Sequence, residues 1–162
     1  MNPVKKHGVF IGFATGAIIA DQASKWLIVN NISLYESLQI IPGIFNIVHY
    51  RNPGGAFGLF ASNSGFYLAL AFMVITLAAL GIILYLYSGI SQKDRLLAAG
   101  LALVFGGAVG NMIDRLRFGN VVDFIDVYLG SYHWPAFNLA DSSITIGMII
   151  FAGYVIFKKV PA

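Results

Sequence analysis

The stretch FYLALAFMVITLAALGIILYLY, from Phe66 to Tyr87, contains no charged residue. It meets the roughly 20 apolar residues that a helix needs to cross a hydrocarbon core about 30 Å thick. Three more stretches meet the same measure. Gly8–Ile28 is interrupted by Asp21 and Lys25; Leu96–Ile113 is rich in Gly and Ala and runs into Asp114 and Arg115; Leu139–Phe157 has Asp141 in its first turn. The expected fold is an all-α membrane protein of four transmembrane helices, at about 8–28, 66–87, 96–113 and 139–157.

The rest of the composition agrees. Of 162 residues, 58% are hydrophobic and 10% charged, where a soluble domain carries about 25% charged residues. The length predicts one unit, a single integral membrane domain over residues 1–162. A net charge of +3 would suit a nucleic-acid partner, but the basic residues sit at helix ends instead. Lys5 and Lys6 precede the first helix, Lys93 and Arg95 join the second to the third, and Lys158 and Lys159 follow the fourth. Four spans place these clusters on one side, which the positive-inside rule makes cytoplasmic together with both termini. Arg51, Arg115 and Arg117 fall on the other side. The first segment has the basic start of a signal peptide, but Asp21 and Lys25 stand where cleavage would fall, so it reads as a retained helix. The absence of cysteine excludes disulfides, thiolate metal sites and a cysteine nucleophile.

Both outer loops carry structure of their own. In residues 34–60, turn residues at Pro42-Gly43 and Asn52-Pro53-Gly54-Gly55 flank Ile44–Tyr50, a β-branched and aromatic run that predicts a hairpin or small sheet. The loop from about Phe118 to Ala136 is mostly apolar, with Tyr132 and Trp134 suited to a membrane interface. It is expected to lie on the membrane surface as a short helix.

Within this frame Asp123 and Asp141 stand out, because an acid beside hydrocarbon is costly and marks a functional site. Paired carboxylates that share a proton can activate water. Asp141 has a second reading: Asn138 is a good N-cap, and Asp141 three residues on could serve the helix start alone. Asp123, between Val122 and Phe124, has no capping role, and Asp126 is its rival if the loop is helical. Asp21 and Lys25 share a helix face and pair. Asn111, Asp114 and Arg115 form a polar face after Gly106, Gly107 and Gly110, whose small size lets helices approach. Asn52 and Gly54 mark a loop whose backbone can come close to a ligand, or an ordinary turn. Ser24 and Lys25 are adjacent and make no facing dyad, while His7, His49 and His133 lack metal-ligand spacing.

Five blocks together resemble the signal peptidase II family of bacterial inner-membrane aspartic proteases: Asp21-Gln22-Ala23-Ser24-Lys25; Asn52–Phe57; Gly106–Arg115; Val121–Phe124; and Phe137–Ser142. Gly55 departs from the Ala or Val expected in the second block. The resemblance implies that Asp123 and Asp141 are the catalytic dyad. Asp21, Lys25, Asn52, Gly54, Asn111, Asp114, Arg115 and Asn138 become supporting positions. It implies diacylglyceryl-modified prolipoproteins as substrates, cut just before the lipidated cysteine. It further implies membrane lipid as the surroundings, an inner-membrane location with the site near the outer face, and no metal, cofactor or nucleic acid. The chain is expected to act as a monomer. A small transporter or channel, and a non-catalytic assembly subunit, are the rival classes. Ion flux lost in the Asp variants would mark the first, and a stable partner the second.

Overall fold

A computed structural model of the chain describes residues 4–54 and 66–157, with side chains from His7 and, after the gap, from Leu70. The side chains of Lys5 and Lys6, the end of the second block (Gly55, Ala56, Phe57), and Lys158 and Lys159 therefore lie outside the described residues. The described residues form four helices: α1 (Val4–Asn31), α2 (Phe66–Gly89), α3 (Arg95–Phe118) and α4 (Leu139–Phe157). Among the described residues three stretches are long and apolar enough to cross a membrane, Leu70–Gly89, Arg95–Phe118 and Leu139–Phe157. The first helix is long enough, but Asp21, Lys25 and other polar residues lower its hydropathy.

Helix α3 is the central element, packed on α1, α4 and α2. Its glycines permit this. A Cβ at Gly106 would stand 2.7 Å from the Ala14 carbonyl oxygen of α1, and one at Gly110 would stand 2.5 Å from Asp21 Oδ2. Small residues bring helices together in lipid because no hydrophobic force does so there. The helix runs five residues past the expected Ile113. Asp114 and Arg115 do not break it, since charge is costly in hydrocarbon but compatible with helical backbone. It stops at Gly119, whose φ of 72° lets its N–H reach the Arg115 carbonyl at 2.9 Å.

A four-stranded antiparallel sheet covers one end of the bundle. Its order is β1 (Ser37–Ile41), β2 (Phe45–Asn52), β3 (Val121–Leu129) and β4 (Tyr132–His133). The hairpin expected from the first loop is present as β1–β2. The short surface helix expected from the second loop is not: that segment is β3 and β4, and residues 119–138 contain no helix. Val121, Val122, Ile125 and Val127 favour extended backbone, and β2 presents an open edge to which β3 pairs, Asn52 opposite Val121 and Tyr50 opposite Asp123. Val122 and Phe124 pack with Ile28 of α1 and with Ile32 just beyond its end, seating the sheet on the bundle.

Candidate active site

Asp21, Lys25 and Asp114 form the foundation. Lys25 Nζ is 2.9 Å from Asp21 Oδ2 and 2.9 Å from Asp114 Oδ2, and it donates to Asn111 Oδ1 at 3.0 Å. All three ammonium protons thus have acceptors, which a buried cation requires. Asp21 is 0% exposed and Asp114 1%. Their remaining capacity is also used. Asp21 Oδ1 accepts from the Ala140 N–H of α4 at 2.9 Å, and Asp114 Oδ2 accepts from the Val122 N–H of β3 at 3.0 Å. The cluster therefore ties α1, α3, α4 and β3 together.

Gln22, one residue after Asp21, had drawn no role from sequence reasoning. Its amide donates at 3.1 Å to Asp21 Oδ2, to the Gly110 carbonyl and to Asp114 Oδ1. The available signal was its position in the first block, beside the buried ion pair.

Lys25 dictates the next layer. An ammonium only donates, so the Asn111 atom facing it is the carbonyl oxygen, and the Asn111 amide is turned to Asp141 Oδ1 at 2.8 Å. Asn138, fully buried, links the two acids. Its Nδ2 donates to Asp123 Oδ1 at 2.8 Å, its Oδ1 accepts from the Asp141 N–H at 3.0 Å, and its own N–H reaches Asp141 Oδ2 at 3.2 Å. The last two bonds form a reciprocal cap at the start of α4. The capping reading of Asp141 is thus present in the structure, but it uses Oδ2, while Oδ1 faces Asn111.

Asp123 comes from β3 and is 3% exposed. Its Oδ2 accepts from Asn52 Nδ2 at 2.9 Å, and Asn52 Oδ1 in turn accepts from the Gly54 N–H at 2.9 Å. Gly54 has φ 116°, and a Cβ there would run into the Phe72 ring, so no other residue fits this turn. Burial pushes the Asp123 carboxyl up to about 7; the nearby Asp141 charge adds to this, and the Asn52 and Asn138 donors offset part of it. Arg115 lies near Asp141, Asp123 and Asp114, with its guanidinium 5.1 Å from the centre of the Phe72 ring.

All ten residues singled out from the sequence thus fall in one neighbourhood. Asp126, the rival to Asp123, does not join it. It is held instead by Asn46 Nδ2 at 2.8 Å and His133 Nδ1 at 2.9 Å. An extended strand turns residues three apart to opposite faces, so the β conformation removes the rival that a helix would have kept.

A buried acid that keeps its proton near neutrality, beside a second carboxylate on a helix start, can supply an acid and a base to one reaction. The chain is also similar to known proteins. The sequence profile of "Signal peptidase (SPase) II" matches residues 13–157. A lipoprotein signal peptidase of Desulforapulum autotrophicum is 53% identical over 148 residues, covering 91% of each chain. One from Syntrophus aciditrophicus is 45% identical, covering 87% of this chain and 88% of the relative, and one from Geobacter sulfurreducens is 44% identical over 90% of each. A solved structure described as a bacterial membrane enzyme, determined by the in meso method, superposes with a TM-score of 0.82 at 34% identity, covering 96% of this chain and 93% of that one. With residues of five sequence blocks meeting around one carboxylate pair, and relatives matched across nearly the whole length, this chain belongs to the signal peptidase II family.

Proposed function

We infer that the chain is an aspartic endopeptidase that removes signal peptides from prolipoproteins, with Asp123 and Asp141 as its dyad. The observation that carries this reading is the bridge through Asn138, which joins two carboxylates in unlike settings. Asp123, pushed up to about 7, is the proton-bearing partner; Asp141, held by backbone and amide N–H groups, is the ionised one. Asp141 takes a proton from water, and the hydroxide oxygen bonds to the scissile carbonyl carbon. Asp123 donates a hydrogen bond to the carbonyl oxygen as it gains charge. The proton on Asp141 then passes to the leaving amide nitrogen, the C–N bond breaks, and the pair returns to one shared proton. Because the protons are shared, the titration belongs to the pair.

The substrate is a diacylglyceryl-modified prolipoprotein, cut just before the modified cysteine. Membrane lipid delivers it sideways to a site under the sheet. All four helices cross the bilayer: α1 compensates for its lower hydropathy by turning Asp21 and Lys25 into the bundle, where they pair. Both termini and the Lys93–Arg95 turn are cytoplasmic, and the sheet and dyad lie at the outer face of a bacterial inner membrane. The single domain works as a monomer. Asp123→Asn and Asp141→Asn, purified as folded membrane proteins, should each lower the cleavage of a diacylated prolipoprotein by at least about 10²–10⁴, read as the mass shift of the substrate. Unimpaired cleavage by both variants would overturn the dyad.

A further inference from the structure

Helix α3 ends with two arginines that turn to different sides. Arg115 lies near the dyad, while Arg117, three residues from Asp114, is on the side turned to α1. There Arg117, Phe118 and Asp114 meet Lys25, Trp26 and Asn30 of α1 around a recess of about 160 Å³. Arg51 reaches the same place from β2. Its neighbour Asn52 turns to Asp123, so the Arg51 side chain leaves the opposite face of the strand. The centre of the Phe118 ring is 4.1 Å from the guanidinium carbon of Arg51 and 4.8 Å from that of Arg117. The two cations are close enough for the Arg117 charge to act on Arg51.

Both cations lack acceptors. Contact with an aromatic ring offsets part of a charge but uses none of the five N–H groups of a guanidinium. Among the described residues, neither Arg51 nor Arg117 has a carboxylate within ion-pair distance, and Arg51 Nη1 is buried without an acceptor. The Asp114 charge acts on Arg51, but its oxygens are committed to Lys25, Gln22 and the Val122 N–H. Lys25, Asp21 and Asp114 together carry one negative charge, and the two arginines two positive ones, so this side of the bundle end keeps a positive excess.

We propose that Arg51, Arg117 and Phe118 bind the phosphate of an anionic phospholipid whose acyl chains run down the apolar face of α1. The planar fork of arginine matches phosphate oxygens. The recess exceeds the roughly 30 Å³ share of a water molecule, so it admits part of a headgroup. Position names the source of the phosphate. Arg117 stands in the last turn of Arg95–Phe118, a stretch long enough to cross a membrane, where hydrocarbon gives way to headgroups. Trp26, 59% exposed beside the recess, suits the same depth. Ile19, two turns earlier on that face of α1 and 62% exposed, continues an apolar track for a chain. The lipid would join β2 to α3 one residue from Asn52, which holds Asp123. The inference rests on the membrane placement given above and not on the cleavage reaction.

Binding is read by native mass spectrometry of the full chain, delipidated in detergent and titrated with phosphatidylglycerol. One lipid should bind the wild type about tenfold more tightly than Arg51→Gln or Arg117→Gln, the size of one lost hydrogen bond to a charged group. The same lipid should raise the unfolding midpoint of the wild type, because it binds the folded state alone, and not that of Arg117→Gln. Should Arg51→Gln fail to fold, Arg117→Gln carries the comparison, since its side chain is exposed. Lys93→Gln removes a positive charge at the other end of the molecule and should bind like the wild type. Equal affinity in Arg117→Gln and the wild type overturns the site. An equal loss in Lys93→Gln also overturns it, because the effect would then be one of overall charge. Inorganic phosphate, compared with chloride at equal ionic strength, should not displace the lipid; displacement would make this a site for a free anion and overturn the lipid. A chain that binds the lipid through Arg117 yet cleaves no prolipoprotein supports the site while the peptidase reading fails.

Discussion

Asp123 keeps its proton to about pH 7 because it is removed from water beside another carboxylate, with two amide donors only partly offsetting that cost. Two consequences follow from the direction of this shift. If Asp123 is the proton-bearing partner, kcat/KM should decline above a midpoint near pH 7, by about tenfold per pH unit, as the free enzyme loses that proton. Stability should respond as well. The folded carboxyl binds its proton more tightly than an unfolded one near 3.8, so its stabilising effect is complete below about pH 4 and is lost as pH rises to about 7. Asp123→Asn removes this dependence. Thermal melts of the variant and the wild type should therefore diverge in the variant's favour between pH 4 and pH 7, and parallel pH profiles would contradict the assignment. Asn111 illustrates how little freedom the neighbouring residues have: the Lys25 ammonium sets the direction of its amide, and that amide sets the position of Asp141.

At the scale of elements, the same lysine is the clasp between α1 and α3. Lys25→Met keeps the volume but leaves Asp21 and Asp114 buried without a cation, which costs about 3–5 kcal/mol when one partner of a buried pair is removed. The expected result is a lower unfolding midpoint in detergent, with activity lost alongside. A midpoint within a degree of the wild type would mean that the acids find another proton or partner. The second loop shows where sequence reading and structure part. Its apolar, aromatic composition suits a surface helix and a strand alike, because local propensity depends on what the segment packs against. The open edge of β2 lies some 70 residues away in the chain, and its pairing with β3 decides the matter. That choice also separates Asp123 from Asp126, which a helical loop would have left as equals.

For the whole molecule, the arrangement puts the sheet, Arg51 and Arg117 at one end and the Lys93–Arg95 turn at the other. With no native cysteine, single replacements report orientation cleanly. Ser131→Cys in the β3–β4 turn should react with a membrane-impermeant thiol reagent in intact spheroplasts, and Gln92→Cys only after permeabilisation. The reverse pattern would invert the proposed topology. What the sequence determined alone was everything that follows from the solvent and from covalent order: the apolar lengths of α2, α3 and α4, the glycines that let α3 sit centrally, the helix start at Asn138, and five blocks that together identify a family. These are legible because hydropathy, capping and small-residue spacing act within a few residues of one another. What only the tertiary structure decided was which polar groups meet. The Asn138 bond to Asp123, the turn of Asn111 enforced by Lys25, the bonds of Gln22 to Gly110 and Asp114, and the strand pairing that carries Asp123 all join residues from 15 to 92 positions apart. A buried polar group must find its partner in three dimensions or remain unsatisfied, and nothing in its neighbours along the chain names that partner.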